Sequence, residues 1–172
     1  MQIETTKKLF TVDEYYRMAE VGIIGPEDRV ELIDGEIIQM SPIGHRHMTA
    51  VNRANDFFTG AFRGRAIVSI QNPLRLTNYT EPQPDIVLLK YQADFYKDKK
   101  ITPDDAFLVL EVADTTIRYD RQIKLHKYAS ANVREVWIAN LEDDVLEIYR
   151  EPSECSFNSS LIGSAMGGSN PH

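Results

Sequence analysis

The sequence has little cysteine, no long apolar run and no secretory signal. One cysteine in 172 residues can form neither an internal disulfide nor a zinc site built on cysteines. No apolar segment is long enough to span a bilayer, and the first ten residues lack the apolar core of a signal peptide. These absences argue against a disulfide-rich secreted scaffold and a membrane-spanning protein. We expect a cytoplasmic protein without a membrane partner.

An excess of positive charge is also missing, because the formal net charge is -7. A protein that holds nucleic acid by general neutralisation of phosphates is usually basic. An acidic total is still compatible with a metal site made of clustered carboxylates, and basic residues can be concentrated on one face. The candidate basic segments are residues 97–100 and 118–127, although a charge run more often forms a solvated surface.

The length of 172 residues corresponds to one ordinary domain. The hydrophobic fraction of 42% and the charged fraction of 26% are close to the averages of soluble globular proteins, so the composition does not indicate disorder overall. The last twenty residues are different, because serine, glycine and asparagine dominate them. We therefore expect a single domain over residues 1–152 and a polar, flexible tail over residues 153–172.

Two local motifs predict the first elements. Thr11 and Glu14 have the spacing of a capping box, which predicts a helix over residues 12–20. The dipeptide Asp34-Gly35 favours a type I′ turn between two apolar runs and predicts a β-hairpin over residues 30–40.

Hydrophobic periodicity predicts the remaining elements. They are a helix from about residue 48 to Gly64, strands over 66–76, 85–90 and 106–113, a helix over 120–130, and strands over 135–140 and 145–150. This order predicts an α/β fold with a mixed central sheet flanked by helices, after an N-terminal helix and β-hairpin.

Glu111 interrupts the apolar run of the strand over residues 106–113. Burying a carboxylate without a partner is costly. Side chains alternate along a strand, so Glu111 shares a face with Val109 and Ala113, and that face must supply a cation, a metal or water. The simpler alternative is that Glu111 lies at an exposed strand end and pairs with a lysine.

Asp85 opens a second apolar strand directly after Pro84, and its carboxylate could face that of Glu111 across adjacent strands. Two acids at such a distance repel each other unless a cation lies between them. Mg²⁺ suits this arrangement because it takes oxygen ligands and is often bound by one or two carboxylates. The alternative is that Asp85 is simply a turn residue after proline.

Lys124 follows the Glu111 strand and lies four residues after Asp120, on the same face of the predicted helix. A lysine there could orient an attacking water or stabilise charge on a phosphate in the transition state. The alternative is a solvated ion pair between Asp120 and Lys124, which would contribute about 0.2–0.5 kcal/mol.

These residues resemble a known pattern. In its order of motifs the chain resembles the PD-(D/E)XK nuclease superfamily, and within it the Uma2 family of restriction-endonuclease-like proteins. The segments that carry the resemblance are Pro84-Asp85, Glu111-Val112-Ala113, residues 119–125, the Phe-Thr-Val-Asp-Glu-Tyr opening from Phe10, residues 30–37, Pro82-Gln83-Pro84-Asp85 and Glu135-Val136-Trp137-Ile138. The likeness covers about residues 10–150, and the ordered combination is more specific than any one piece.

The resemblance implies roles for individual residues. The superfamily lysine would fall at position 113, where this chain has Ala113, so the resemblance implies that Lys124 on the next helix replaces it. Glu31 in the hairpin matches an additional acidic position and could hold the metal through water. Asp85, Glu111 and the carbonyl of Val112 would then bind the metal. For Glu31 the alternative is an exposed residue between two apolar ones.

Other polar residues have weaker signals. His45 and His47 precede the predicted helix and could contact phosphate, but polar capping of the helix is the simpler explanation. Gln71 would face the same region if the superfamily topology holds, and it could contact the attacking water.

The sequence therefore predicts a metal-dependent endonuclease that hydrolyses DNA phosphodiesters with Mg²⁺, for which Mn²⁺ could substitute. The catalytic residues would be Asp85, Glu111, Lys124 and Glu31. A homodimer is expected by resemblance. One alternative is a non-catalytic nucleic-acid-binding or assembly module on a nuclease scaffold, because fold does not guarantee function. Another is an enzyme that hydrolyses a small phosphodiester.

Overall fold

The computed structural model of the chain describes residues 6–154 and 156–162. It has the α/β architecture predicted from the sequence, with a mixed six-stranded sheet and a separate two-stranded hairpin. Residues 1–5, 155 and 163–172 lie outside this description.

The N-terminal helix and hairpin form as their motifs predict. Helix α1 (Val12–Glu20) begins after the capping box of Thr11 and Glu14. Strands β1 (Val30–Ile33) and β2 (Glu36–Gln39) pair antiparallel. Asp34 and Gly35 between them have φ values of 50° and 78°, which is the pair of positive angles that a type I′ turn requires.

The central sheet has the strand order β3-β4-β5-β6-β7-β8. Its strands are β3 (Ala66–Ile70), β4 (Ile86–Lys90), β5 (Ala106–Ala113), β6 (Glu135–Asn140), β7 (Val145–Ser153) and β8 (Ser156–Ile162). Strands β5 and β6 are parallel, and the other neighbouring pairs are antiparallel. The parallel pair needs a crossover connection, which a helical segment provides.

That helical crossover is not a regular α-helix. It consists of α3 (Ile117–Tyr119), a π-helical segment (Asp120–Lys124) and α4 (Leu125–Ser130), which follow one another along the chain. A single 3₁₀ turn (Pro103–Asp105) precedes β5. Short π-helical insertions within α-helices are frequent at functional sites, and this one contains Asp120 and Lys124.

Helices cover both faces of the sheet, so the fold has three layers. Helix α2 (His45–Phe62) packs on one face, where Val51 and Phe58 join a buried cluster with Leu88 and Leu110. The helical crossover packs on the other face through Tyr128. No helix within the described residues is both long enough and apolar enough to cross a membrane.

Two of the predicted segments are corrected by the structure. The strand predicted over 66–76 ends at Ile70, because Gln71 turns the chain with a φ of 50° and Pro73 cannot donate to a sheet.

The tail predicted from residue 153 is wrong for Ser156–Ile162, which forms β8 on the edge of β7. Backbone hydrogen bonds build such a strand even where the side chains are polar. Residues 163–172 of the predicted tail lie outside the described residues.

Candidate active site

A pocket of about 530 Å³, lined by several charged side chains, lies where the carboxyl end of β5 meets the hairpin, α2 and the π-helical segment. The four side chains that the sequence analysis selected as catalytic all line it, and all four are buried: Glu31, Asp85, Glu111 and Lys124. They come from β1, the entry to β4, β5 and the π-helical segment. The fold thus brings distant parts of the chain to one place.

The sheet register explains why two of the acids meet. Strands β4 and β5 pair antiparallel with Ile86 opposite Leu110. Asp85 precedes Ile86 and Glu111 follows Leu110, so the two carboxylates leave the sheet at the same edge. The charge of Asp85 acts on Glu111 and contributes to raising its pKa.

Asp85 is held by three donors. Its Oδ2 accepts a hydrogen bond from the backbone N–H of Val112 at 2.8 Å and lies 3.0 Å from Nε2 of His47. Its Oδ1 accepts from the side-chain amide of Gln71 at 3.3 Å. Asp85 is therefore part of the buried site and not a free turn residue. Val112 contacts Asp85 through its backbone N–H. The proposed binding of a metal by the backbone carbonyl of Val112 stays a prediction.

Glu111 is buried on the face of the sheet that the helical crossover covers. Its Oε1 accepts hydrogen bonds from the hydroxyl of Tyr128 at 2.6 Å and from Nζ of Lys124 at 3.3 Å. Burial raises the pKa of Glu111 to about 8, and the nearby carboxylates of Asp120 and Asp85 act in the same direction against the charge of Lys124. Lys124 and Tyr128 thus supply the hydrogen bonds that offset the free-energy cost of burying the carboxyl group of Glu111.

Lys124 bridges two acids. Its Nζ lies 3.2 Å from Oε2 of Glu31 and 3.3 Å from Oε1 of Glu111, and the residue is only 5% exposed. Burial disfavours the ammonium, but the charges of Glu111, Glu31 and Asp120 outweigh this effect and raise the pKa of Lys124. Lys124 therefore remains protonated at neutral pH. The solvated surface pair that we considered as its alternative is wrong.

Glu31 lies in the buried strand β1, so the alternative of an exposed hairpin residue is also wrong. Besides Lys124, its carboxylate accepts the backbone N–H of Gln83 at 3.2 Å and the hydroxyl of Tyr119 at 3.3 Å. Burial and the charge of Glu31 raise the pKa of Tyr119, which keeps this phenol protonated and donating.

Asp120 is a further buried acid of the pocket, and the sequence analysis treated it only as a surface partner of Lys124. Its Oδ2 accepts the hydroxyl of Thr116 at 2.7 Å, and burial raises its pKa. The signal that could have found it is its position four residues before Lys124 on the same helical face.

His47 corrects a second expectation. Helix α2 begins at His45 with Gly44 as its N-cap, and no side chain caps it, so the capping role expected for His45 and His47 is wrong. His47 lies within the first turn, on the same helical face as the buried Ala50 and Val51, and this spacing could have placed it toward the interior. Its hydrogen bond with Asp85 raises its pKa.

Two residues that bond to Asp85 have unusual features: Gln71 has a strained backbone, and His47 has a buried ring nitrogen without a partner in the described part of the chain. Gln71 has a φ of 50°, a conformation that costs a non-glycine residue about 1–3 kcal/mol. In this conformation both its backbone N–H and its side chain bond to Asp85. Within the described residues, Nδ1 of His47 is a buried side-chain atom without a hydrogen-bond partner.

Two arginines line the pocket together with its buried acids. Arg29 and Arg118 line the pocket, and neither forms an ion pair in the part of the chain that the structure describes. Arg29 donates to the carbonyl of Ser41 at 2.7 Å. Unpaired guanidinium groups above buried carboxylates provide sites for phosphate oxygens.

The donors around the floor have the chemistry of a site for a hard cation. Asp85 and Glu111 offer carboxylate oxygens at one sheet edge, and Mg²⁺ is commonly held by one or two carboxylates with several waters. Over the described ranges, no group of three or more His, Cys, Asp or Glu side chains is arranged to hold a metal by itself. Any ion bound here would therefore need water, backbone or substrate oxygens as further ligands.

Comparisons with known proteins show which family the chain belongs to. The model of the Uma2 family, described as "Putative restriction endonuclease", matches residues 12–164. Among solved structures, the chain is similar to "a putative nuclease belonging to DUF820 from Anabaena variabilis ATCC 29413", with a TM-score of 0.67 and 12% sequence identity over 90% of this chain and 85% of that one. At this identity the likeness shows the fold alone. A comparison with curated proteins gave no match. Because the family model spans most of the sequence, the chain belongs to the Uma2 family.

Proposed function

We propose that this protein is a nuclease that uses Mg²⁺, or Mn²⁺ as a substitute, to hydrolyse phosphodiester bonds of DNA internally. The observation that carries the proposal is the buried ammonium of Lys124 between Glu31 and Glu111, next to Asp85. The family description of a restriction endonuclease supports the same reaction class.

Asp85, Glu111 and the carbonyl of Val112 would hold the metal, and Glu31 would support it through water. The charges favour this assignment, because Glu111 has a pKa raised to about 8 beside two further acids. An added cation would favour the ionised form of Glu111 and relieve the repulsion. When bound, Mg²⁺ supplies Lewis-acid polarisation of the phosphoryl oxygen and a lowered pKa for water.

Lys124 acts as a donor and not as a general base, because it stays protonated. Its Nζ is fixed by Glu31 and Glu111, so it can donate a hydrogen bond to the attacking water or to a phosphate oxygen without further reorganisation. Preorganised donors that meet developing charge are a large contribution to catalysis. Tyr128 and His47 keep the carboxylates of Glu111 and Asp85 in place through their own hydrogen bonds.

Arg29 and Arg118 would hold the phosphates on either side of the cleaved bond. Both line the same pocket as the buried acids. Arg29 and Arg118 supply two positive charges at the site and a bound divalent metal would add two more, so the net charge of -7 does not exclude phosphate binding, since phosphate contacts depend on the field at the site more than on the total. The homodimer and the cytoplasmic location remain predictions, and light scattering of the purified protein would test the first.

The test is a cleavage assay on circular plasmid, single-stranded, duplex and branched DNA, with Mg²⁺, with Mn²⁺ and with a chelator. We expect metal-dependent products from the wild type and none from Asp85→Asn. Asp104→Asn, which changes an exposed acid before β5, is the matched control and should cut normally.

Each rival has its own outcome in the same assay. DNA that is retained but never cut with either metal would favour a non-catalytic binding module. Cleavage of a small chromogenic phosphodiester without retention of DNA would favour hydrolysis of a small substrate. If Asp85→Asn cut as fast as the wild type, the proposed site would be wrong.

A further inference from the structure

A second pocket is lined by Glu81, which lies four residues before Asp85 in the chain. It has a volume of about 390 Å³, within the range of small-ligand sites. We call it the Glu81 pocket, and the residues used below are Tyr16, Ser69, Glu81, Phe95, Tyr96 and Lys100. None of these residues lines the candidate active site.

Glu81 is a buried acid, 4% exposed, that the proposed reaction does not use. Its Oε1 accepts the hydroxyl of Tyr16 at 2.6 Å. It forms no ion pair with any described residue, and the two cations whose charges lower its pKa against the effect of burial, Arg75 and Lys100, each bond to Asp13 at 3.3 Å. A carboxylate withdrawn from water with so few donors is an available acceptor for a ligand.

An exposed aromatic side chain lines the same pocket as this carboxylate. Phe95 is 66% exposed although it lines the pocket. Phe95 and Tyr96 have φ values of 54° and 60°, which are unusual for bulky residues and carry strain. The hydroxyl of Tyr96 donates to the carbonyl of Lys90 at 2.9 Å. Tyr96 is therefore anchored while the strained turn presents the ring of Phe95 to solvent.

We propose that the Glu81 pocket binds an unpaired guanine base of the nucleic-acid substrate. The Watson–Crick edge of guanine carries two adjacent N–H donors, which match the two acceptor oxygens of a carboxylate. A base taken out of its stack is typically read by hydrogen bonds on this edge and by stacking on an aromatic ring, and Phe95 offers such a ring. Thymine presents carbonyl oxygens on both sides of its single N–H, so the carboxylate of Glu81 disfavours it.

The position of the pocket connects it with the candidate active site, and in this respect the inference rests on the proposed function. Glu81 and Asp85 are joined by four residue steps, so their Cα atoms lie at most roughly 14 Å apart in an extended chain. A strand cleaved at Asp85 can therefore place a base a few nucleotides away in the Glu81 pocket. Lys100 also lines the pocket, with its ammonium paired to Asp13 at 3.3 Å.

The test is a titration of the metal-free protein with dGMP and, separately, dTMP, followed by the backbone amide signals in an NMR spectrum. We expect dGMP to shift the signals of Ser69, Glu81 and Phe95, and dTMP to bind at least tenfold more weakly there. Glu81→Gln should weaken dGMP at least tenfold, because the new amide group opposes one of the guanine donors. Phe95→Ala should weaken it several-fold, and Phe57→Ala, an equally exposed phenylalanine on α2, should not.

This readout needs neither metal nor cleavage, so it separates the two proposals. Binding of dGMP at the Glu81 pocket by a protein that cuts no DNA would keep this inference and reject the proposed function. Equal shifts with dGMP and dTMP, no shifts with either, or unchanged affinity in Glu81→Gln would overturn the inference whatever the cleavage assay shows.

Discussion

Nζ of Lys124 lies 3.3 Å from Oε1 of Glu111, and both side chains are buried. Neither charge is stable in this environment alone, since burial disfavours the charged form of each. The pair therefore links the fold to the proposed chemistry. A change to one partner should affect both stability and activity.

Lys124→Met should destabilise the protein and abolish cleavage. Removing one partner of a buried ion pair leaves an uncompensated charge, and such changes cost about 3–5 kcal/mol. Urea denaturation at neutral pH measures the free energy of unfolding. Lys97→Met, at an exposed lysine, is the control and should change it little. A second substitution, Glu31→Gln, should restore part of the stability of Lys124→Met, because it removes the other partner of the buried ion pair, and no restoration would contradict the pairing.

The metal-free protein should lose stability as the pH rises from about 4.5 to about 8 through the effect of Glu111. Its folded-state pKa is raised, so in this window the folded state holds a proton that the unfolded state has released. The free energy of unfolding therefore falls toward pH 8. Glu111→Gln removes this contribution, and the two pH curves should diverge across the window. Parallel curves would show that Glu111 does not titrate there.

Mg²⁺ should raise the melting temperature of the wild type at pH 8. A ligand that binds only the folded state stabilises it by about 2.7 kcal/mol at a hundred times its Kd. Asp85→Asn should show a much smaller rise, and Ca²⁺ in place of Mg²⁺ would test binding without turnover. The proposed metal site would be rejected if both proteins responded equally.

Arg118→Ala should weaken DNA binding without a preference for sequence. Loss of one phosphate contact reduces the slope of log affinity against log salt by roughly one. Fluorescence anisotropy over a range of salt concentrations gives this slope. Arg134→Ala is a suitable control, because Arg134 lies before β6, at the end of the parallel strand pair away from the pocket. An identical loss in both variants would argue for general charge attraction.

His47→Ala should reduce metal affinity by about 10–100-fold, which is typical when a residue that orients a metal ligand is lost. His47 holds Oδ2 of Asp85 at 3.0 Å. Calorimetry with Mn²⁺ measures the affinity directly, and a merely structural role would change the melting temperature and not the Kd. His45→Ala provides the control, since His45 lies in the same first turn of α2 and is exposed.

The sequence by itself determined much of the architecture. The capping box of Thr11 and Glu14, the Asp34-Gly35 turn and the apolar run interrupted by Glu111 all appear in the structure as predicted. These features depend on residues that are neighbours in the chain, so local backbone preferences and periodicity specify them. Spacing already made Lys124 a candidate, and the resemblance to a family gave it the role of the missing lysine and added Glu31, which periodicity alone would have left on the surface.

Only the tertiary structure decided which polar groups meet. His47 reaches Asp85 because α2 packs on the sheet, and Asp120 enters the pocket because the crossover contains a π-helical segment. Strand β8 forms because the edge of β7 supplies backbone partners to a polar sequence. In each case the stabilising partner is distant in the chain. Burial and hydrogen bonding between distant segments are set by packing, which no local pattern of residues encodes.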